Sequence, residues 1–188
     1  MIRVGLLGTG RIGRLHAKTI ASHSESTLYA VSDIDSGSAN ELAVHHGATV
    51  KSSEEIISDS NIDAILIATS TDTHAGFIEK ASLVGKSVFC EKPVDLSLSR
   101  AKECLNRVGA ANNPIMIGFN RRFDPNFAQL KKSLDDKEIG KSELLTITSF
   151  DPAPPPVSYV KTSGGLYRDM MIHDFDLSNF IMNELPVT

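Results

Sequence analysis

Apolar positions in the first 120 residues follow two alternating patterns. Short runs rich in Ile, Leu and Val recur at Ile2 to Gly8, Thr27 to Asp33, Ala64 to Thr69, Ser87 to Lys92 and Ile115 to Phe119. Near-continuous runs of this kind suit parallel strands buried on both faces. Between them the apolar residues fall three and four apart. That spacing, with its flanking Ser, Gly and Asn-Pro signals, predicts helices over Arg11 to His23, Ser36 to His46, Thr73 to Val84 and Ser97 to Ala111. Glu54 to Ser58 reads as a short helical piece. Alternating strand and helix predicts an α/β fold, a doubly wound parallel sheet with right-handed crossovers.

The pattern changes after residue 120. Pro125 to Asp136 reads as a helix and Leu144 to Phe150 as a strand of a second sheet. Asp151 to Pro156 is a stiff, extended connection, and Leu166 to Met182 a continuous helix. One strand and one helix do not make a stable sheet on their own. Residues 1–120 are therefore expected to form one α/β domain and 121–188 the start of an incomplete α+β domain.

Composition narrows the function. The 188 residues are 41% hydrophobic and 22% charged, with a formal net charge of -4. That balance is ordinary for a globular protein and opposes a nucleic-acid footprint, which would need clustered Lys and Arg. Lys131-Lys132 reads as a solvated helix face. No apolar run approaches the roughly 20 residues of a membrane span, and no leader segment is apparent. Cys90 and Cys104 lack metal or redox spacing; Cys90 reads as a buried small hydrophobe. The expected compartment is the cytoplasm.

Three constellations carry chemistry. The first is Gly8-x-Gly10-x-x-Gly13, which follows a strand and opens a helix at Arg11 and Ile12. Its glycines permit a tight turn, close backbone approach to a pyrophosphate and tight helix–strand packing, as in a Rossmann dinucleotide site. Asp33 ends the second strand, twenty positions after Gly13, where a carboxylate accepts from ribose hydroxyls and repels a 2′-phosphate. Ile34 follows rather than an Arg, so NAD is favoured over NADP. Thr69, Ser70 and Thr71 line the same crevice in prospect, although Thr71 or Asp72 also reads as a helix cap. His74 reads equally as a cofactor contact or a satisfied helix-start histidine.

The second is Glu91-Lys92-Pro93 at a strand end. Lys92 there is placed to stabilise an alkoxide, although a surface lysine beginning a loop fits the position too. The third is Asp169 and His173, four apart on a predicted helix, a spacing that builds an oriented general base but also occurs in surface pairs. Asp174 and Asp176 lie close by, yet no second His stands at ligand spacing, so no metal is expected. His45-His46 reads as a helix C-terminal stretch.

Together the motifs GTGRIG at 8–13, AVSD at 30–33, ATSTDTH at 68–74, CEKP at 90–93, GFNRRFDP at 118–125, DPAPPP at 151–156 and GGLYRDMMIHDFD at 164–176 resemble the Gfo/Idh/MocA oxidoreductase family along the whole chain. The last three segments resemble its inositol-oxidising branch. The resemblance implies Lys92 as the catalytic lysine, assisted by Asp169, with His173 taking the hydroxyl proton. It implies NAD contacts from Gly8, Gly10, Arg11, Ile12, Gly13, Asp33, Ile34, Thr69, Ser70, Thr71, His74, Glu91 and Lys92. Substrate contacts are implied for Lys92, Arg121 in preference to Arg122, Asp151, Asp169 and His173. Many members have Pro where Ser70 stands, which alters loop stiffness more than chemistry.

The implied reaction is NAD-dependent oxidation of a cyclic polyol, myo-inositol to its 2-keto form. Another sugar or polyol, or a non-catalytic NAD-binding role, is the alternative. Family members continue well beyond this length and form homodimers or homotetramers.

Overall fold

The computed structural model describes every residue except Ala110, Pro152, Lys161, Thr162 and Thr188, and leaves the side chains of Ser158 and Tyr159 undescribed. It divides into two compact units, Met1–Gly118 and Phe119–Thr188.

The first unit is one six-stranded parallel sheet in the order β3-β2-β1-β4-β5-β6. Its strands are β1 (Ile2–Leu7), β2 (Ser26–Ser32), β3 (Thr49–Val50), β4 (Ala64–Ile67), β5 (Ser87–Cys90) and β6 (Ile115–Ile117). Its helices are α1 (Arg11–Ser22), α2 (Ser36–His46), α3 (Ser53–Ser58), α4 (Thr71–Leu83) and α5 (Leu98–Val108). This is the doubly wound Rossmann order, in which strand succession reverses between β1 and β4.

The sheet separates two cores. Leu7, Ile65, Ile67, Ile78, Val88 and Cys104 pack on one face. Val4, Leu6, Leu66, Val31, Ala17, Ile20 and Leu42 pack on the other. Residues 6 and 7, and 65 and 66, point to opposite faces, as pleated strands require. That is why these strands read as unbroken apolar runs.

Strand β3 has no such run: both its residues are exposed, so it leaves no apolar signal in the sequence. Helix ends carry their own devices. Asp35 caps α2, Gly47 ends it in the left-handed conformation, and Ser52 with Glu55 forms a capping box on α3.

The second unit contains a 3₁₀ turn (Asn120–Phe123) and helices α6 (Pro125–Asp135), α7 (Val157–Val160), α8 (Leu166–Asp169) and α9 (Met171–Met182). Asp124 caps α6 by accepting from the amides of Asn126 and Phe127. Two expectations are corrected here. Leu144 to Phe150 is not a strand, because no described segment forms a ladder with it. It keeps period-two exposure, with Leu145, Ile147 and Ser149 half-buried between exposed neighbours. The alternation was legible; the missing ingredient is a hydrogen-bonding partner. The helix over Leu166 to Met182 is interrupted at Met170, which joins α8 to α9 with φ −98° and ψ −57°. Of the proline-rich connection, Pro152 lies outside the described residues.

Candidate functional site

The turn after β1 is built around glycine. Gly8 has φ +96°, and a Cβ there would lie 2.4 Å from the Ala68 carbonyl oxygen. A Cβ on Gly13 would lie 2.0 Å from the Gly8 carbonyl oxygen. Both are required by the fold itself, since the turn is pressed between the end of β4 and the first turn of α1. Gly10 differs: a Cβ there would meet nothing within 4 Å. It is exposed, at the N-cap of α1, with no side-chain cap bond and no acidic residue in the first turn. The first-turn amides of Arg11, Ile12 and Gly13 thus have no side-chain cap at the positive end of the helix. A cradle that a side chain would fill, walled by backbone donors, fits a dinucleotide pyrophosphate.

Asp33 braces this turn. Its carboxylate accepts from the Thr9 amide at 2.6 Å and hydroxyl at 3.0 Å, and from the Asp35 amide at 2.9 Å. Partial burial opposes its ionisation, but the donated hydrogen bonds outweigh that and hold its pKa below the ordinary value. An ionised carboxylate has about four acceptor sites, so capacity remains for ribose hydroxyls. Ile34 beside it is fully exposed. Thr9, itself fully buried, has its hydroxyl oxygen 2.8 Å from that of Ser38, which accepts from Arg14; Arg14 pairs with Glu41. Apart from the local Asp33–Asp35 contact, this bracing leaves no trace in the sequence pattern, because its members lie 24 to 29 positions apart.

Past β4, Thr69 and Thr71 are half-buried and Ser70 is exposed. Ser70 occupies the N-cap of α4 without a side-chain cap bond, so neither Thr71 nor Asp72 is the cap. Thr73 instead hydrogen-bonds the Ser70 carbonyl at 2.7 Å and the Thr69 hydroxyl at 2.6 Å. His74 is 2% exposed, with Nδ1 2.8 Å from the Pro93 carbonyl and Nε2 3.1 Å from the Thr69 carbonyl. A histidine so enclosed is a strut between two loops, which fits the expected alternative of a satisfied helix-start histidine. Its place on the buried stripe with Ala75, Ile78, Ala81 and Ser82 was the available sequence signal.

Lys92 is half-buried just beyond β5, and the bond joining it to Pro93 is cis. Before it, the Glu91 carboxylate pairs with His16 Nε2 at 2.7 Å and lies against Gly118, whose added Cβ would sit 3.2 Å from both carboxylate oxygens. Cys90 is fully buried, and burial pushes its thiol pKa well up, consistent with an inert core residue.

The second unit carries the remaining candidates. Arg121 forms an ion pair with Asp174 and donates to Ser149 at 3.2 Å, while Ser149 donates to Asp174 at 2.7 Å. Burial again opposes ionisation of Asp174, and Ser149 and Arg121 reverse it, so its pKa is lowered. Arg122 grips Asp176 bidentately, at 2.8 and 2.6 Å, and lies over the Phe180 ring at 5.4 Å. Both arginines expected at substrate thus hold carboxylates of α9, Arg121 that of Asp174 and Arg122 that of Asp176. Asp169, at the end of α8, and His173, in the first turn of α9, are half-buried; Asp151 is exposed. Among the described residues no group of three metal-ligating side chains converges, and no helix is long and apolar enough to cross a membrane.

The family model for an oxidoreductase family with an NAD-binding Rossmann fold, GFO/IDH/MocA, matches residues 2–119. A GFO/IDH/MocA C-terminal domain matches residues 127–188. The chain belongs to the GFO/IDH/MocA oxidoreductase family.

It is 47% identical over 187 residues to an inositol 2-dehydrogenase of Rhizobium meliloti, covering 100% of this chain and 57% of that protein. It is 41% identical to a myo-inositol 2-dehydrogenase of Thermotoga maritima, over 97% of this chain and 55% of the relative. The crystal structure of a myo-inositol dehydrogenase from Corynebacterium glutamicum superposes with a TM-score of 0.92 at 40% identity, over 96% of this chain and 55% of that one. That of a scyllo-inositol dehydrogenase from Lactobacillus casei with bound NAD(H) and scyllo-inositol gives 0.82 at 30%, over 97% and 56%. The chain spans a little over half the length of these GFO/IDH/MocA members.

Proposed function

We propose that this chain is the nucleotide-binding portion and part of the substrate portion of an NAD-dependent dehydrogenase of a cyclic polyol, with myo-inositol oxidised to its 2-keto form. The observation that carries the reading is the open backbone cradle at Gly10 beside an ionised Asp33. Asp33 supports NAD over NADP, because a fixed negative charge there repels a 2′-phosphate. Names of relatives 47% and 41% identical support inositol as substrate. A relative 37% identical is a scyllo-inositol 2-dehydrogenase, so the stereochemistry of the ring is the nearest alternative.

Gly8, Gly10, Arg11, Ile12 and Gly13 would hold the pyrophosphate; Asp33 and Ile34 would flank the adenosine ribose. Thr69, Ser70, Thr71, Glu91 and Lys92 would line the rest of the crevice. Bound NAD supplies the hydride acceptor. His173 takes the hydroxyl proton, with Asp169 favouring the charged imidazolium that results. Lys92 stabilises the alkoxide oxygen as the proton leaves. Asp151 would add a polar contact to the ring hydroxyls, and Arg121 and Arg122 would fix α9, which carries His173. The assignment of 1–120 to nucleotide and 121–188 to substrate belongs to the same proposal. So do a homodimer or homotetramer and a reducing, cytoplasmic compartment, which two free buried cysteines support.

The test is calorimetric titration with NAD and NADP, followed by NADH formation with myo-inositol, scyllo-inositol and hexoses in parallel. Tighter binding of NAD and the highest kcat/KM for myo-inositol are expected. Preference for NADP, or a hexose turned over faster than either inositol, would overturn the assignment.

A further inference from the structure

Two histidines from different helices grip the residues on either side of Lys92. His16, on α1, holds the Glu91 carboxylate through Nε2 at 2.7 Å, with its ring edge-on to Phe89 at 5.2 Å. Both partners are about four-fifths buried, their side chains 21% and 22% exposed. His74, on α4, meets the Pro93 carbonyl through Nδ1 and the Thr69 carbonyl through Nε2. The backbone between them is tied from below, where the Glu91 amide donates to Ile67 and the Gly118 amide to Cys90.

We propose that His16 and His74 are positioning residues that fix the Glu91–Pro93 turn and thereby the placement of Lys92. The inference rests on the reading of Lys92 as a catalytic lysine. Helix α1 also begins at the pyrophosphate cradle, so His16 links that cradle to the lysine turn through one rigid element. His74 links the turn to the loop after β4. A lysine on an unbraced turn would sample many positions, and a displacement of about 1 Å at a reacting centre can cost on the order of a hundredfold in rate.

The two ring nitrogens of His74 make the idea separable from core filling. Asn at position 74 carries its amide near where Nδ1 stands and can keep the Pro93 contact. Gln carries its amide near where Nε2 stands and can keep the Thr69 contact. His74→Asn, His74→Gln and His74→Ala are compared with the parent by hydrogen exchange of the peptide covering residues 87–98, and by kcat and the KM for NAD. His74→Asn is expected to retain parental exchange and most of kcat. His74→Gln and His74→Ala are expected to exchange faster and to lose kcat on the order of a hundredfold, with little change in KM. His16→Gln, which can still donate to Glu91, is expected to outperform His16→Leu in both assays. Equal exchange in all the His74 variants would overturn the proposal without any reference to turnover. Lys92→Ala, measured alongside, separates the two claims. If it keeps activity, the role of Lys92 fails. If it loses activity while the His16 and His74 variants keep theirs, the bracing proposal fails alone.

Discussion

Gly10→Ala should separate folding from nucleotide binding in one substitution. Gly10 has φ −67° and ψ −171°, an extended conformation open to any residue, and its added Cβ meets no atom within 4 Å. Replacing Gly by Ala at a permitted backbone gains about 0.4–1 kcal/mol from the unfolded chain, while Ala is a poorer N-cap than Gly by a similar amount. The two effects offset, so Tm should stay within about 2 °C of the parent. The methyl group, however, projects into the cradle that backbone donors leave open. NAD affinity should fall at least about tenfold, or about 1.4 kcal/mol. Gly13→Ala is the opposite case, since its Cβ would stand 2.0 Å from one backbone oxygen and 2.9 Å from its carbon. Overpacking costs roughly 1–3 kcal/mol and should lower Tm by roughly 2–12 °C. Calorimetric NAD titration and thermal unfolding of both variants decide the matter. Undiminished NAD affinity in Gly10→Ala would refute the placement of the pyrophosphate.

Other substitutions and conditions test the surrounding framework. Asp33→Asn removes the charge that the Thr9 and Asp35 amides stabilise; it should weaken NAD and narrow the NAD-over-NADP preference, read from paired titrations. Glu79, buried against Arg100 at 2.5 Å and Arg107 at 3.4 Å, ties α4 to α5. Glu79→Gln should cost about 1–3 kcal/mol in denaturant unfolding. Hydrogen bonding from Arg100, despite some burial, holds the Glu79 pKa below its ordinary value, and the Arg3 hydrogen bond holds Asp63 at about 2. Folded carboxylates with depressed pKa stabilise the protein above their unfolded values and lose that contribution as pH falls through the folded ones. Stability should therefore decline progressively from about pH 5 towards pH 2, and a flat profile there would contradict the ion-pair assignments. Arg122→Lys, which cannot reproduce the bidentate contact with Asp176 or the stacking on Phe180, should lower stability by about 1 kcal/mol after solvent screening of the half-exposed guanidinium.

The sequence carried the sheet because parallel strands buried on both faces are apolar at every position, as Ile65 to Ile67 show. Strand β3 escaped because two exposed residues leave no periodic trace. Leu144 to Phe150 alternates as a strand would, yet a strand exists only with a partner, and pairing is not written into one segment's pattern. The interruption at Met170 carries no Gly or Pro, so nothing local announces it. The nucleotide turn was legible because its glycines answer to local geometry. The arginine partners were not: Arg121 meets Asp174 across 53 positions and Arg122 meets Asp176 across 54. His74 was half legible, since helical spacing put it on the buried stripe but could not name the two carbonyls it spans.

The central claim is oxidation of a cyclic polyol with Lys92 at the reacting oxygen, and a single-turnover measurement reads it most directly. Excess protein carrying NAD is mixed with myo-inositol, and NADH absorbance is followed for the parent and for Lys92→Ala. The account predicts NADH formation by the parent and its loss on the order of a thousandfold in Lys92→Ala, with NAD affinity retained. Unchanged NADH formation in Lys92→Ala, or NAD binding by the parent with no NADH formed from any inositol, would contradict it.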